Sequence, residues 1–147
     1  MKLLMSALPI VAATANPRYQ RLGGAAAVAR LVEAFYAAMD TRADARAIRA
    51  MHPRDLAATK AVLTAYFSEW LGGPKRYSAE RGAPRLRRVH LPFAIDRAAS
   101  QAWLACMDQA LADIGAEVEL RDELNAAFAK IAAHIENSES THPHRRP

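Results

Sequence analysis

A chain of 147 residues, with 52% apolar types and 24% charged ones, has the composition of one globular domain with a single buried core, not of a disordered chain. Its formal net charge is +5, but the basic residues are spread out, dense only from Arg81 to Arg88 and at Arg145 and Arg146, which argues against a nucleic-acid groove. The lone cysteine, Cys106, excludes an intrachain disulfide and a cysteine-rich metal site, and it suits a reducing, cytoplasmic setting.

Residues 1–17, MKLLMSALPIVAATANP, combine Lys2, a short apolar run and a small-residue Ala-Thr-Ala, features that resemble a secretory signal. The run contains Pro9 and is too short to span a membrane. It reads as a mobile extension, with a signal peptide as the alternative.

Over residues 24–40, Val28, Leu31, Val32, Phe35, Tyr36 and Met39 recur every three or four positions and mark one face of a helix entered through Gly23-Gly24. The next stretch, TRADARAIRAM, predicts one or two helical turns, broken at His52-Pro53. Pro53 is expected to open a second long helix, with Leu56, Leu63, Phe67 and Trp70 as its apolar stripe and Thr59, Lys60 and Tyr66 beside it. Gly72-Gly73-Pro74 stops that helix. Residues 75–84 show no periodicity and are expected to form a loop, long enough to suggest a functional role. A short helical piece over 85–91 then carries His90, and Pro92 closes it. Asp96 is a candidate N-cap for a helix buried through Trp103, Met107, Ala110, Leu111 and Ile114 and ended by Gly115. The last helix begins near Glu119, with Leu120, Leu124, Phe128, Ile131 and Ile135 on its inner face. No segment alternates long enough for a strand, so the fold class is all-α with four main helices over residues 18–137. Residues 138–147 read as a disordered polar tail.

No phosphate-binding loop, dinucleotide fingerprint or zinc-protease motif is present, and Glu33 and Asp40 read as part of a solvated face. Of the five histidines, His142 and His144 sit in the tail and His134 on the polar side of the last helix. His52 and His90 each stand at a proline-marked break with aromatic residues nearby. A haem needs one neutral imidazole for its iron, an apolar cleft, and polar groups at the mouth. His90, between the arginine run and Leu91-Pro92-Phe93, has both environments within a few residues. On spacing alone, Trp103 and Tyr36 read first as core, and His90 reads more readily as a core or surface histidine than as a ligand.

Three stretches, FYAAM, WLGGPKRYSAERGAPRLRRVHLPF and QAWLACMDQAL, resemble in content and order the group II truncated globins, over residues 19–136. The resemblance implies a two-over-two helical sandwich around haem b. It casts His90 as the proximal iron ligand and Tyr36 and Trp103 as the distal hydrogen-bonding pair, with His52 facing the same cavity. Thr59 and Leu63 fall at the distal-helix positions nearest a bound ligand; Thr59 is small enough to let ligands pass. Phe35, Tyr66, Phe67, Phe93 and Ile95 would wall the pocket, and Tyr77 and Arg87 would meet the propionates. Two positions depart from the group's pattern: its Gly-His-Pro is Gly82-Ala83-Pro84, and Val89 replaces the basic residue before the proximal histidine.

The implied function is reversible binding of oxygen, and of NO and CO, with high affinity and slow release. A phenol O–H, an indole N–H and an imidazole N–H can each donate to the partly negative outer atom of bound dioxygen. Two such bonds would slow escape by roughly two to four powers of ten. The alternative is a haem-dependent enzyme for nitric oxide dioxygenation or peroxide reduction, served by an electron-donating reductase. A third reading is a haem-free helical module that offers Arg81–Arg88 to an acidic partner. No nucleic-acid or membrane partner is expected, and a homodimer is left open.

Overall fold

Residues 17–137 are described by a computed structural model. The extension expected over 1–17, apart from Pro17, and the tail over 138–147 lie outside the described residues. The chain forms α1 (Arg18–Leu22), α2 (Gly24–Thr41), a 3-10 turn (Ala43–Ala45), α3 (Arg46–Ala50), α4 (Ala57–Trp70), α5 (Arg76–Arg81), α6 (Leu86–His90), α7 (Arg97–Asp113) and α8 (Val118–Ile135), with no strand among the described residues.

The four long helices bury their apolar stripes against one another. Helix α2 packs on α4 and on α7, and α7 packs on α8, so the pairs α2/α4 and α7/α8 form the two layers of a two-over-two sandwich. Leu31, Phe35 and Met39 of α2, Phe67 of α4, Met107 and Leu111 of α7, and Leu120, Leu124 and Phe128 of α8 are fully buried where the layers meet. Each such side chain contributes about 1.5–3 kcal/mol of transfer free energy. Cys106 lies in the same core, and burial pushes its thiol up to about 11, so it acts as a small inert side chain. Asp96 caps α7 by accepting the Ala99 amide at 2.9 Å.

The Gly72-Gly73 stop does more than end α4. A Cβ on Gly73 would lie 2.4 Å from the Tyr19 ring, and the Tyr19 amide donates to the Leu71 carbonyl at 2.8 Å. The glycine therefore lets α1 dock across the end of α4, while Gly72 takes a left-handed φ of +96°.

Two expectations need correction. Pro53 does not open α4, which starts at Ala57 with its amide on Asp55 at 3.0 Å. The carbonyls of Pro53 and Arg54 accept instead from Arg49, at 2.9 and 3.0 Å, and Arg49 is also held by Asp40 at 2.6 Å. Residues 75–84 are not all loop, because α5 occupies Arg76–Arg81. Glu69 accepts both the Ser78 amide and its hydroxyl, which tethers α5 to α4 and buries Tyr77. Glu33 and Asp40 lie on a solvated face as expected, where they pair with Lys60 and Arg49, and pairs this exposed stabilise by only about 0–1 kcal/mol.

Candidate haem site

The layers do not close completely. A cavity of about 440 Å³ lies between α4 and the segment bearing His90, a size suited to a small-molecule or cofactor site. Tyr36 reaches it from α2; Met51 and His52 from the turn after α3; Thr59, Val62, Leu63, Tyr66 and Phe67 from α4. Tyr77 enters from α5, Leu86, Val89 and His90 from α6, Phe93 and Ile95 from the following turn, and Trp103 from α7. Ile131 and Ile135 of α8 complete a mostly apolar lining.

His90 is half-buried, and its Nδ1 lies 2.7 Å from the Leu86 carbonyl. A carbonyl only accepts, so Nδ1 carries a proton, and in the neutral ring it is Nε2 that keeps the lone pair. Metal-binding imidazoles are oriented in the same way. His52 repeats the arrangement, with Nδ1 2.8 Å from the Ile48 carbonyl. Burial is the main cause that holds His52 below the ordinary histidine range; the Ile48 bond opposes it, while Arg49 and His90 add to the lowering. A neutral His52 therefore presents an acceptor rather than an N–H, which corrects the expectation of an imidazole donor.

Tyr36 is buried, with its ring edge-on to His52 at 5.7 Å and to Phe35 at 4.9 Å. Burial pushes its phenol up to about 12, with Arg49 partly opposing, so the O–H stays protonated. Trp103 is wedged edge-on between Phe35 at 5.4 Å and Phe128 at 5.5 Å. Neither the Tyr36 hydroxyl nor the Trp103 indole N–H has a hydrogen-bond partner among the described residues, and neither is sealed off as a buried orphan. Both therefore open onto the cavity they line. Leaving such a group unpaired in a dry site costs about 1–3 kcal/mol. A nitrogen lone pair, apolar walls and two partnerless donors are what a haem with a small polar ligand requires, so the residues fit that group.

Tyr36, His52, Thr59, Leu63, Tyr66, Phe67, Tyr77, His90, Phe93, Ile95 and Trp103 all line the cavity. Two expected residues do not. Phe35 stands behind Tyr36 and Trp103 and braces both rings. Arg87 turns away from the cavity, and its guanidinium donates to the carbonyls of His134 at 3.0 Å and Glu136 at 2.8 Å. The end of α8 supplies these acceptors because terminal carbonyls lack intrahelical partners. Asn137, which the sequence did not single out, acts beside it. Its Oδ1 accepts the Ile95 amide at 2.9 Å, its Nδ2 donates to the His90 carbonyl at 3.1 Å, and its own amide donates to the Ile95 carbonyl at 2.9 Å. No spacing rule marks an asparagine just past a helix end as a clasp on a segment more than forty positions earlier.

The bacterial-like globin family model matches residues 18–137. The chain belongs to that family. The group 2 truncated hemoglobin YjbI of Bacillus subtilis is 34% identical over 83% of this chain and 89% of its own. Among solved structures, the group II 2-on-2 hemoglobin of Agrobacterium tumefaciens is 35% identical, with a TM-score of 0.80 over 84% of this chain and 95% of that one. A truncated oxygen-avid haemoglobin of Bacillus subtilis is 33% identical, with a TM-score of 0.76 over 83% of this chain and 100% of that one. Membership makes this globin, a group II truncated haemoglobin in fold, a haem-based binder of small gaseous ligands. Among its described residues no helix is long and apolar enough to cross a membrane.

Proposed function

We propose that this globin holds haem b on the Nε2 of His90 and binds dioxygen with high affinity and slow release, with CO and NO as further ligands. The haem supplies the iron to which the gas binds. Tyr36 and Trp103 would offer their O–H and N–H to such a ligand, and the apolar walls would exclude water that competes for those donors. Thr59 is small and leaves the approach free of a bulky gate, with Leu63 beside it in the wall. One observation carries the reading: a phenol O–H and an indole N–H, both without a partner among the described residues, line the same cavity as an imidazole whose Nδ1 is held by a carbonyl, leaving Nε2 for the cavity's chemistry. The structural neighbour described as oxygen-avid supports the high affinity. Slow release suits sensing, scavenging or redox turnover better than delivery, so nitric oxide dioxygenation or peroxide reduction is the second reading.

Each donor bond to a charged acceptor contributes about 1.5–3 kcal/mol, or roughly one to two powers of ten in escape rate. Stopped-flow oxygen dissociation is therefore expected to speed up by roughly ten- to a hundredfold in Tyr36→Phe and again in Trp103→Phe. Unchanged release in both variants would remove the donor pair from the account.

A further inference from the structure

The net charge of this globin sits in one short stretch. Residues 75–97 hold seven basic side chains against two acidic ones, Glu80 and Asp96, a net of +5. The whole chain is also +5, so everything outside this stretch balances to zero. Among the described residues, the arginines and lysine that meet carboxylates lie elsewhere, at positions 18, 21, 42, 49, 60 and 121. None of the seven makes such an ion pair among the described residues, although Lys75 lies near enough to Glu69 to help hold its carboxyl low. Leu91, 58% exposed, lies in the same stretch outside the cavity lining, while Val89 and Phe93 beside it face the cavity.

Its position gives the charge a use. Tyr77, Leu86, His90 and Ile95 form one wall of the cavity, while Arg81, Arg85 and Arg88 stay exposed on the same short elements. The two propionates of a haem neutralise at most two of the seven charges. The remaining charges flank the cavity mouth around the exposed Leu91, an arginine-rich rim of the kind found at protein docking sites. A membrane surface is less well served, because the helices here span only six and five residues and offer no long apolar face.

We propose that this face docks a small acidic electron-donor protein of the iron–sulfur type and brings its cluster against the wall that carries His90. The inference rests on the haem reading above. In the step it serves, the donor's reduced cluster loses one electron and the ferric haem iron gains it to become ferrous; no proton or group is transferred. Opposite charge across the contact speeds encounter, and salt screens that attraction.

The test uses the full haem-loaded chain in ferric form, mixed anaerobically under carbon monoxide with a reduced acidic [2Fe–2S] ferredoxin, while the growth of the ferrous carbonyl band is followed. The reduction rate is expected to fall roughly tenfold as ionic strength rises from about 0.01 M to about 0.15 M. At low salt it is expected to fall roughly tenfold or more in Arg81→Glu/Arg85→Glu/Arg88→Glu, and by less in the matching Gln series, with dithionite reduction and oxygen release unchanged. A rate indifferent to both salt and charge would overturn the proposal. So would phosphatidylserine vesicles that bind the parent but not the Glu variant while ferredoxin reduction stays the same. A chain that shows no Soret band when haem is supplied fails the haem reading itself, and that is seen before any donor is added.

Discussion

At the residue scale, the chemistry of this globin depends on which ring nitrogen holds a proton. His52 spends its Nδ1–H on the Ile48 carbonyl, and burial keeps its pKa below the ordinary 6.5. In the folded chain it stays neutral as the pH drops through 6.5, while the unfolded chain takes up the proton. The unfolded state then binds more protons, so acid destabilises the fold through this group and neutral pH restores it. The thermal midpoint should drop between pH 7 and pH 5, and drop less in His52→Leu; equal drops in the two proteins would contradict the assignment. Tyr36 works in the opposite direction. Its phenol is raised to about 12, so whatever it contributes to stability is fully present below pH 10 and is lost as pH climbs towards 12. Across the physiological range it remains an unchanging donor.

At the element scale, the short helix α6 has too few turns to stand alone. It leans on α8, and Arg87 and Asn137 clasp it there through the carbonyls of His134, Glu136 and His90 and the backbone of Ile95. Two side-chain bonds at Asn137, each worth about 0.5–1.5 kcal/mol, set how firmly the His90 segment is held. Asn137→Ala should therefore speed haem loss to an apo-globin acceptor by roughly five- to a hundredfold, with oxygen release little changed. If oxygen release changes while haem loss does not, Asn137 acts on the distal side and the clasp is misread.

These elements also show what was legible in the sequence. Helices α2, α7 and α8 each carry an apolar stripe several turns long, so Leu31, Met107 and Leu124 were placed in the core by spacing alone. Helices α1 and α5, of five and six residues, are too short to show a period, and tertiary ties to Leu71 and Glu69 make them helical. Pro53 looked like a helix opener because proline suits a first turn, but Arg49 holds its carbonyl and delays α4 to Ala57. In the cavity, His90, Tyr36 and Trp103 were found through the resemblance rather than by periodicity, which reads a tyrosine or tryptophan on an apolar stripe as core. Phe35 shows how close that reading comes: one position from Tyr36, it braces the site without lining it. The resemblance puts Arg87 at the propionates, yet its partners are carbonyls that no sequence pattern announces.

At the scale of the whole molecule, two layers of helices meet over a packed core and leave between them a cavity whose mostly apolar lining carries a few polar groups, Tyr36, His90 and Trp103 among them. Everything proposed for this globin depends on the Nε2 of His90 holding a porphyrin iron. The most direct measurement is the absorption spectrum of the haem-supplied chain, reduced with dithionite and then exposed to carbon monoxide, beside the same spectra of His90→Gly with and without added imidazole. The parent should show a Soret band that sharpens and shifts on carbon monoxide binding. His90→Gly should lose its normal five-coordinate reduced spectrum and regain it with imidazole. A parent that stays colourless, or a His90→Gly spectrum indistinguishable from the parent's without imidazole, would contradict the account.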